Sequence, residues 1–520
     1  MKFFLNYVKA AAMLAMLLAR ATQAQTITGR SFYQPRTINQ QPELLFGTSD
    51  FSSRLPYGKR GFAFSSTAFY QASTGGNTFA RYFLPNGKNN LVVKGANAVG
   101  PCDISATWLQ VVGQNSLNSL GFGADDEQLI KNQYTSTISI KPSFEMAGAT
   151  LLAAYQSNLG SLGWRLAVGL PVGEARSNMH LREFNISHAV ANRAAVNILN
   201  LGGVWIQHVS PQYSLSVVEA LNNPNRLYGK IKEGSLRASG VGDCFVDASV
   251  MLNQSSAFGV RLQIPTAEKS SPEYLFAPAL GSNGHTALDA YLSLQWPMLA
   301  WKDFTCSFKS HASYGIQFSG SQLRTFDLRE AGPWSRYLLV VDIARNPHNV
   351  VPAANFLTQR AYINQLQSGQ LGLGAEASYK NAASIGLNWK VFGREAEKVK
   401  IRGGLLPEQL FVAKEIFVAG TNDVYVGSKN GDISQAIGIN NGAGLDPATH
   451  EALALSMQDL DLDSVATPAY LTNQLSAAVS IKGSSQGHQW HATVGSSYEW
   501  MQYRNIYNMY SLFGQLSIRF

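Results

Sequence analysis

The sequence predicts an all-β fold: a transmembrane antiparallel β-barrel of about fourteen strands, within a range of roughly twelve to sixteen. Three observations predict it. Segments of about ten residues alternate between apolar and polar side chains over most of the chain, the period of a strand with two unlike faces. The charged residues inside those segments fall on the polar parity. Only 14% of the 520 residues are charged, against roughly 25% in soluble globular chains.

The elements follow in chain order. Residues 1–24 read as a secretory signal peptide, with Lys2 and Lys9 before the apolar run Ala10–Ala19 and small residues ahead of a cut near Ala24. That run is about half the roughly 20 residues a spanning helix needs. Residues 25–58 are polar and aromatic without a clean period, and are expected to precede the barrel or to plug it. Residues 59–520 are expected to form the barrel, with long loops at 320–368 and 394–470.

Phe62, Phe64, Ala68 and Tyr70 mark the first strand. In 162–171, Trp164, Leu166, Val168 and Leu170 oppose Arg165 and Ala167. Residues 240–265 read as a hairpin turning at Asn253–Ser256, and 370–392 as another turning at Lys380–Ala382. Alternation recurs at 287–296, 304–318, 474–482, 488–503 and 506–520. Trp164, Trp296, Trp389, Trp500, Tyr498 and Tyr70 are expected to form aromatic girdles at the two interfaces.

Parity carries the most weight. Arg165, Asp247, Arg261, Asp289, Lys309, Glu376, Lys390, Glu499 and Arg519 all oppose the apolar series of their strands. A charge facing lipid at the midplane costs roughly 2–4 kcal/mol. These nine, with His311 and His491 on the same parity, are the candidate lumen-lining residues. Five are basic and four acidic, so weak ion selectivity at most is expected.

Other chemistry is sparse. With the basic residues of the signal peptide (Lys2, Lys9 and Arg20) removed from the 41, 38 stand against 33 acidic ones. That mild excess, without clustered Lys and Arg, argues against a nucleic-acid partner. Cys102, Cys244 and Cys306 are odd in number, and no pairing can be read from their spacing. Asp459, Asp461 and Asp463 lack the glycine and distal glutamate of a calcium loop and read as a solvated acidic segment. No metal and no cofactor are expected.

The last strand, Tyr510–Phe520, ends on an aromatic. It resembles the closing strand that bacterial outer-membrane β-barrels present to their assembly machinery, which implies outer-membrane lipid and that machinery as partners and Phe520 as the assembly signal. Gly240-Val-Gly-Asp243, Arg261–Thr266 and Leu280-Gly-Ser-Asn-Gly-His285 resemble a pattern in the aromatic-degradation and long-chain fatty-acid transporter group. That resemblance implies passage of small, including hydrophobic, molecules through a plugged barrel. The asparagine-proline-alanine signature of fatty-acid transporters is missing. The local Ser, His or Asp/His signatures of outer-membrane phospholipases and proteases are not found, so an enzyme is not expected. Three readings remain: a barrel passing a small unidentified solute by diffusion, a barrel that anchors long adhesive surface loops, and, third, a soluble periplasmic β-protein.

Overall fold

The computed structural model describes residues 59–94, 135–187, 217–345, 350–414, 424–430, 437–439, 446–485, 488–501 and 507–520, apart from positions 85, 223 and 225. The signal-peptide cut, the 25–58 segment and Cys102 lie outside the described residues.

Twelve strands form the wall. They are β1 (Gly61–Thr74), β2 (Ser143–Leu159), β3 (Leu162–Asn178), β4 (Cys244–Asn253), β5 (Ser256–Ile264) and β6 (Ala287–Trp301), then β7 (Phe304–Gln317), β8 (Leu366–Tyr379), β9 (Ala383–Arg394), β10 (Tyr470–Ser485), β11 (His488–Met501) and β12 (Asn508–Arg519). Each pairs antiparallel with the next, and β12 pairs with β1 from Ala63↔Arg519 to Thr74↔Asn508. The ring is closed. Closure satisfies every ladder without an edge, which is what a sheet in hydrocarbon requires.

Turns sort by end. β2–β3, β4–β5, β6–β7, β8–β9 and β10–β11 are joined by two or three residues, whereas the other connections mostly run long. At Lys380 and Asn381 the backbone takes φ of 48° and 54°, the left-handed geometry that matches strand twist in tight hairpins. Short turns at one end and long loops at the other is the asymmetry of outer-membrane barrels.

The outer face is apolar. On β3, Trp164, Leu166 and Val168 are exposed, and Leu162 to Val172 matches the roughly 9–11 residues that a tilted strand needs to cross. Beyond Val172, Glu174 and Arg176 pair with each other on the same face, and the short strand Ser235–Val241 joins this end of β3 from outside the ring. Rings of Phe62, Tyr155 and Trp164 pack together near the short turns, and Tyr70 meets Tyr510 toward the loops. Trp389 sits in the middle of β9 opposite Leu373 and Leu475 rather than at an interface.

Twelve lies at the lower end of the expected range. Residues 320–470 do contain further strands, but at two to six residues each they are too short to cross and pair into small sheets among themselves. β2 escaped the alternation test because Ala147, Ala149 and Ala153 dilute its outer parity. No described helix is long and apolar enough to span a membrane.

Two bodies of packed side chains lie off the wall's outer face. One fills the interior at the loop end and joins wall residues Phe69, Phe144, Met146 and Phe513 to Phe79, Phe83, Phe276, Trp334 and Tyr337. The other is a lobe of the 318–363 and 395–467 connections, cored by Phe326, Leu328, Leu357, Leu410 and Val412.

Candidate functional site: the barrel interior

Interior parity runs 63, 65, 67 on β1 and 515, 517, 519 on β12, and it keeps that rule through the registers around the ring. Its side chains are polar and mostly buried: Ser65, Thr67, Gln71, Gln474, Ser497, Ser511, Gln515 and Ser517 among them. Gln71 donates to Ser511, and Ser517 to Ser65, across the β1–β12 seam where the ring closes. Burial of this many lumen polar groups means that the interior beside these strands is filled by protein rather than by an open water column.

A charge cluster occupies the interior of β3 to β6. Asp247, fully buried, accepts from Arg165 at 3.4 Å, from Arg261 at 3.1 Å and from the Tyr291 hydroxyl at 2.9 Å. The Arg261 guanidinium also lies 4.3 Å from the Phe245 ring centroid. Register explains the convergence, since Asp247 pairs directly with Ala167 and Arg261 on its two sides. Two glycines make room for the rings: a Cβ at Gly169 would overlap Phe245, and one at Gly259 would overlap Tyr291. Asp289, opposite Arg261, lies over Gly315 of β7. Tyr291 stacks on His311, whose Nδ1 is 3.0 Å from the Ser293 hydroxyl.

A second cluster lies toward the short turns. Glu376 pairs with Lys309 and, at 3.8 Å, with Lys482. His491 faces Lys482 in register, and Arg519 lies on the neighbouring strand opposite Gln489. Lys482 is absent from the eleven sequence candidates although it closes the expected strand 474–482 on the parity of Gln474 and Ser476; β10 itself continues to Ser485. Lys390 and Glu499 are buried on the interior parity higher in β9 and β11. Arg165, Asp247, Arg261, Asp289 and His311 are therefore brought together with Tyr291, and Lys309 and Glu376 with Lys482.

The apolar plug closes the loop end. Helix α1 (Gly76–Phe83) continues directly from β1, and its Phe79 and Phe83 pack on Phe276 and Tyr507. The Trp334 indole donates to the Phe83 carbonyl at 2.9 Å, which ties the 318–363 connection to α1. Among the described residues, then, infolded connections occupy this end.

Buried ion pairs hold the lobe above it. Arg336 binds Asp327 through two nitrogens, each at 2.8 Å. Glu397 accepts from Arg324 at 2.5 Å and Arg394 at 2.8 Å. Burial would raise the Glu397 carboxyl, but the two guanidiniums hold it down at about 2.

The Gly240–His285 segments form a staple. Asp243 accepts from Gln263, the Ala267 amide, and both the amide and hydroxyl of Ser282, binding the 265–286 loop to the base of β4. The His285 imidazole contacts the Phe318 carbonyl and Gln322, and its burial pushes its pKa down. In the acidic segment, Asp459 accepts from the Ser456 amide and pairs with Lys429, while Asp461 accepts from the Asp463 amide. Cys244 and Cys306 are free. Gly483-Ser-Ser-Gln-Gly487 has the spacing of a nucleophile elbow, but it connects β10 to β11, two strands, not a strand to a helix.

A closed twelve-strand antiparallel ring with an apolar outer belt and a polar interior is a transmembrane β-barrel of the bacterial outer-membrane type. No family model matches the chain, and no curated protein matches it significantly. Among solved structures it is similar to the COG4313 outer membrane channel from Pseudomonas putida F1, at 10% identity and a TM-score of 0.35 over 91% of this chain and 98% of that one. The toluene transporter TodX of Pseudomonas putida matches at 7% and 0.25, covering 94% and 95%. The outer membrane protease OmpT of Escherichia coli matches at 6% and 0.22, covering 91% and 99%. Likeness at this level reaches channels and a protease alike, so function rests on the interior.

Proposed function

We propose that the protein is an outer-membrane channel that passes a small solute by diffusion, with the infolded plug as its gate. The observation that carries this reading is the polar, charge-bearing interior of a ring wider than the eight strands that side chains alone fill. The route runs beside β7, where the interior residues Lys309, His311 and Ser313 are only half-buried while those of β1 and β12 are packed. The aromatic plug suits a solute with an apolar portion. Phe520, whose amide donates to the Phe62 carbonyl and whose ring packs on Phe64, serves in this reading as the signal to the assembly machinery.

Conductance of the purified chain in planar bilayers tests the reading. Small or rare openings are expected from the native protein and larger ones from Trp334→Ala, which removes the tie to α1. Silence from both would overturn it. The folded lobe favours a second reading, a surface platform anchored by the barrel. Deleting 394–470 separates the two: lost adhesion with unchanged conductance supports the platform, and altered conductance supports the gate.

A further inference from the structure

The plug region contains a buried cation that no carboxylate among the described residues pairs with. Arg226, in the stretch between the short helix Val217–Leu221 and the outside strand, is only 5% exposed. Its Nε and Nη1 are buried without a hydrogen-bond partner. The described contact of its guanidinium is a ring: Cζ lies 4.8 Å from the Tyr337 centroid. Tyr337 cannot serve as a counter-anion, because burial pushes its phenol well above the ordinary value and its hydroxyl donates to the Gly229 carbonyl. Asp327, which lies near Tyr337, is consumed by the side chain and amide of Arg336.

The segment that carries Arg226 is nonetheless well anchored. The Leu227 amide donates to Asn355 Oδ1 at 2.7 Å, and Tyr337 holds Gly229. Burial lowers the Arg226 pKa to about 10, which still leaves it charged near neutrality. A fixed, buried, charged fork with open donors is destabilising unless an anion completes it. Carboxylate and phosphate oxygens match that fork.

We propose that Arg226 is the anchor of an anion site in the plug, taking the carboxylate or phosphate group of a small molecule. The site stands on Arg226 and its surroundings alone and does not require that the barrel conduct. A shallow cleft lined by Ser270, Tyr274, Phe276, Thr325 and Arg336 borders the same stretch, Thr325 lying beside Gly229. An anion bound there would tie the 226–230 stretch to the 335–337 turn.

The test is the heat-dependent mobility shift of the full-length folded protein in neutral detergent at pH 7. Sodium phosphate, acetate and octanoate are each titrated against sodium chloride at matched ionic strength. At least one probe is expected to raise the unfolding temperature of the native chain saturably. Arg226→Met should lose that response and be no less stable without the probe, since it removes an uncompensated charge. Arg226→Lys, which keeps charge but loses the fork, should bind at least tenfold more weakly. Phosphate alone acting would assign a phosphate group, and octanoate acting more strongly than acetate would assign an amphiphilic carboxylate. The same shift in Arg226→Met, or no shift with any probe in the native chain, would overturn the proposal. Should Arg226→Met fail to fold, a response in Arg226→Lys equal to that of the native chain would overturn it as well.

Discussion

Asp247 shows what a single interior residue does in this barrel. It is one carboxylate between two guanidiniums and a phenol, all buried. Removing it leaves Arg165 and Arg261 as neighbouring buried charges, and breaking such a pair typically costs about 3–5 kcal/mol. Asp247→Ala is therefore expected to lower the unfolding free energy of the bilayer-folded protein in urea by that much, and Asp247→Asn, whose one remaining oxygen can still accept on one side, by less. An unchanged midpoint for both would remove the cluster from the stability account. Gly259 is a second case, since any side chain there meets the Tyr291 ring. Gly259→Val should displace Tyr291 from Asp247 and reproduce part of the Asp247→Ala loss, measured by the same titration.

Elements obey two different solvents. β3 presents Leu166 and Val168 to lipid and Arg165 and Ala167 to the interior, so the same substitution has opposite meanings one residue apart. Leu166→Lys is expected to cost about 2–4 kcal/mol in a bilayer, whereas Ser249→Lys changes interior charge instead. The lobe answers to water and pH. Glu397 has a folded-state pKa of about 2 against an unfolded value near 4.3. Its contribution is thus fully present above the unfolded value and is lost as pH falls from there toward 2, a loss on the order of 3 kcal/mol. Limited proteolysis of the 318–363 and 395–467 connections should accelerate in that window, and Glu397→Gln should flatten the pH dependence. The native acid sensitivity persisting in that variant would assign it to another group.

At the scale of the whole molecule, ring closure and plugging decide behaviour together. A closed ladder predicts heat-modifiable migration on gels, folded and unfolded forms running apart. Wall strands carry interior Arg165, Arg261, Lys309, Lys390, Arg394, Lys482 and Arg519 against Asp247, Asp289, Glu376 and Glu499. Since most described cations are paired, reversal potentials are expected to show at most a slight anion preference. Strong anion selectivity would mean that Lys482 and Arg519 face the route unscreened, and Lys482→Gln would then abolish it.

Period-two alternation was enough to place eleven of the wall strands and two of the turns, because side-chain direction in a strand is a local property of the backbone. β2 was not legible, since small outward residues carry no contrast, whereas Lys482 lay within the expected strand 474–482 on its polar parity and was open to the same reading. What only the tertiary structure decided is which interior residues meet. Arg165, Asp247, Arg261 and Tyr291 come from four strands and converge through register and through the space left at Gly169 and Gly259. Trp334 reaching Phe83, and Arg226 lying over Tyr337, are likewise contacts between residues far apart in the chain. Alternation determines the two faces of the wall; closure of the ring determines what its inner face can hold.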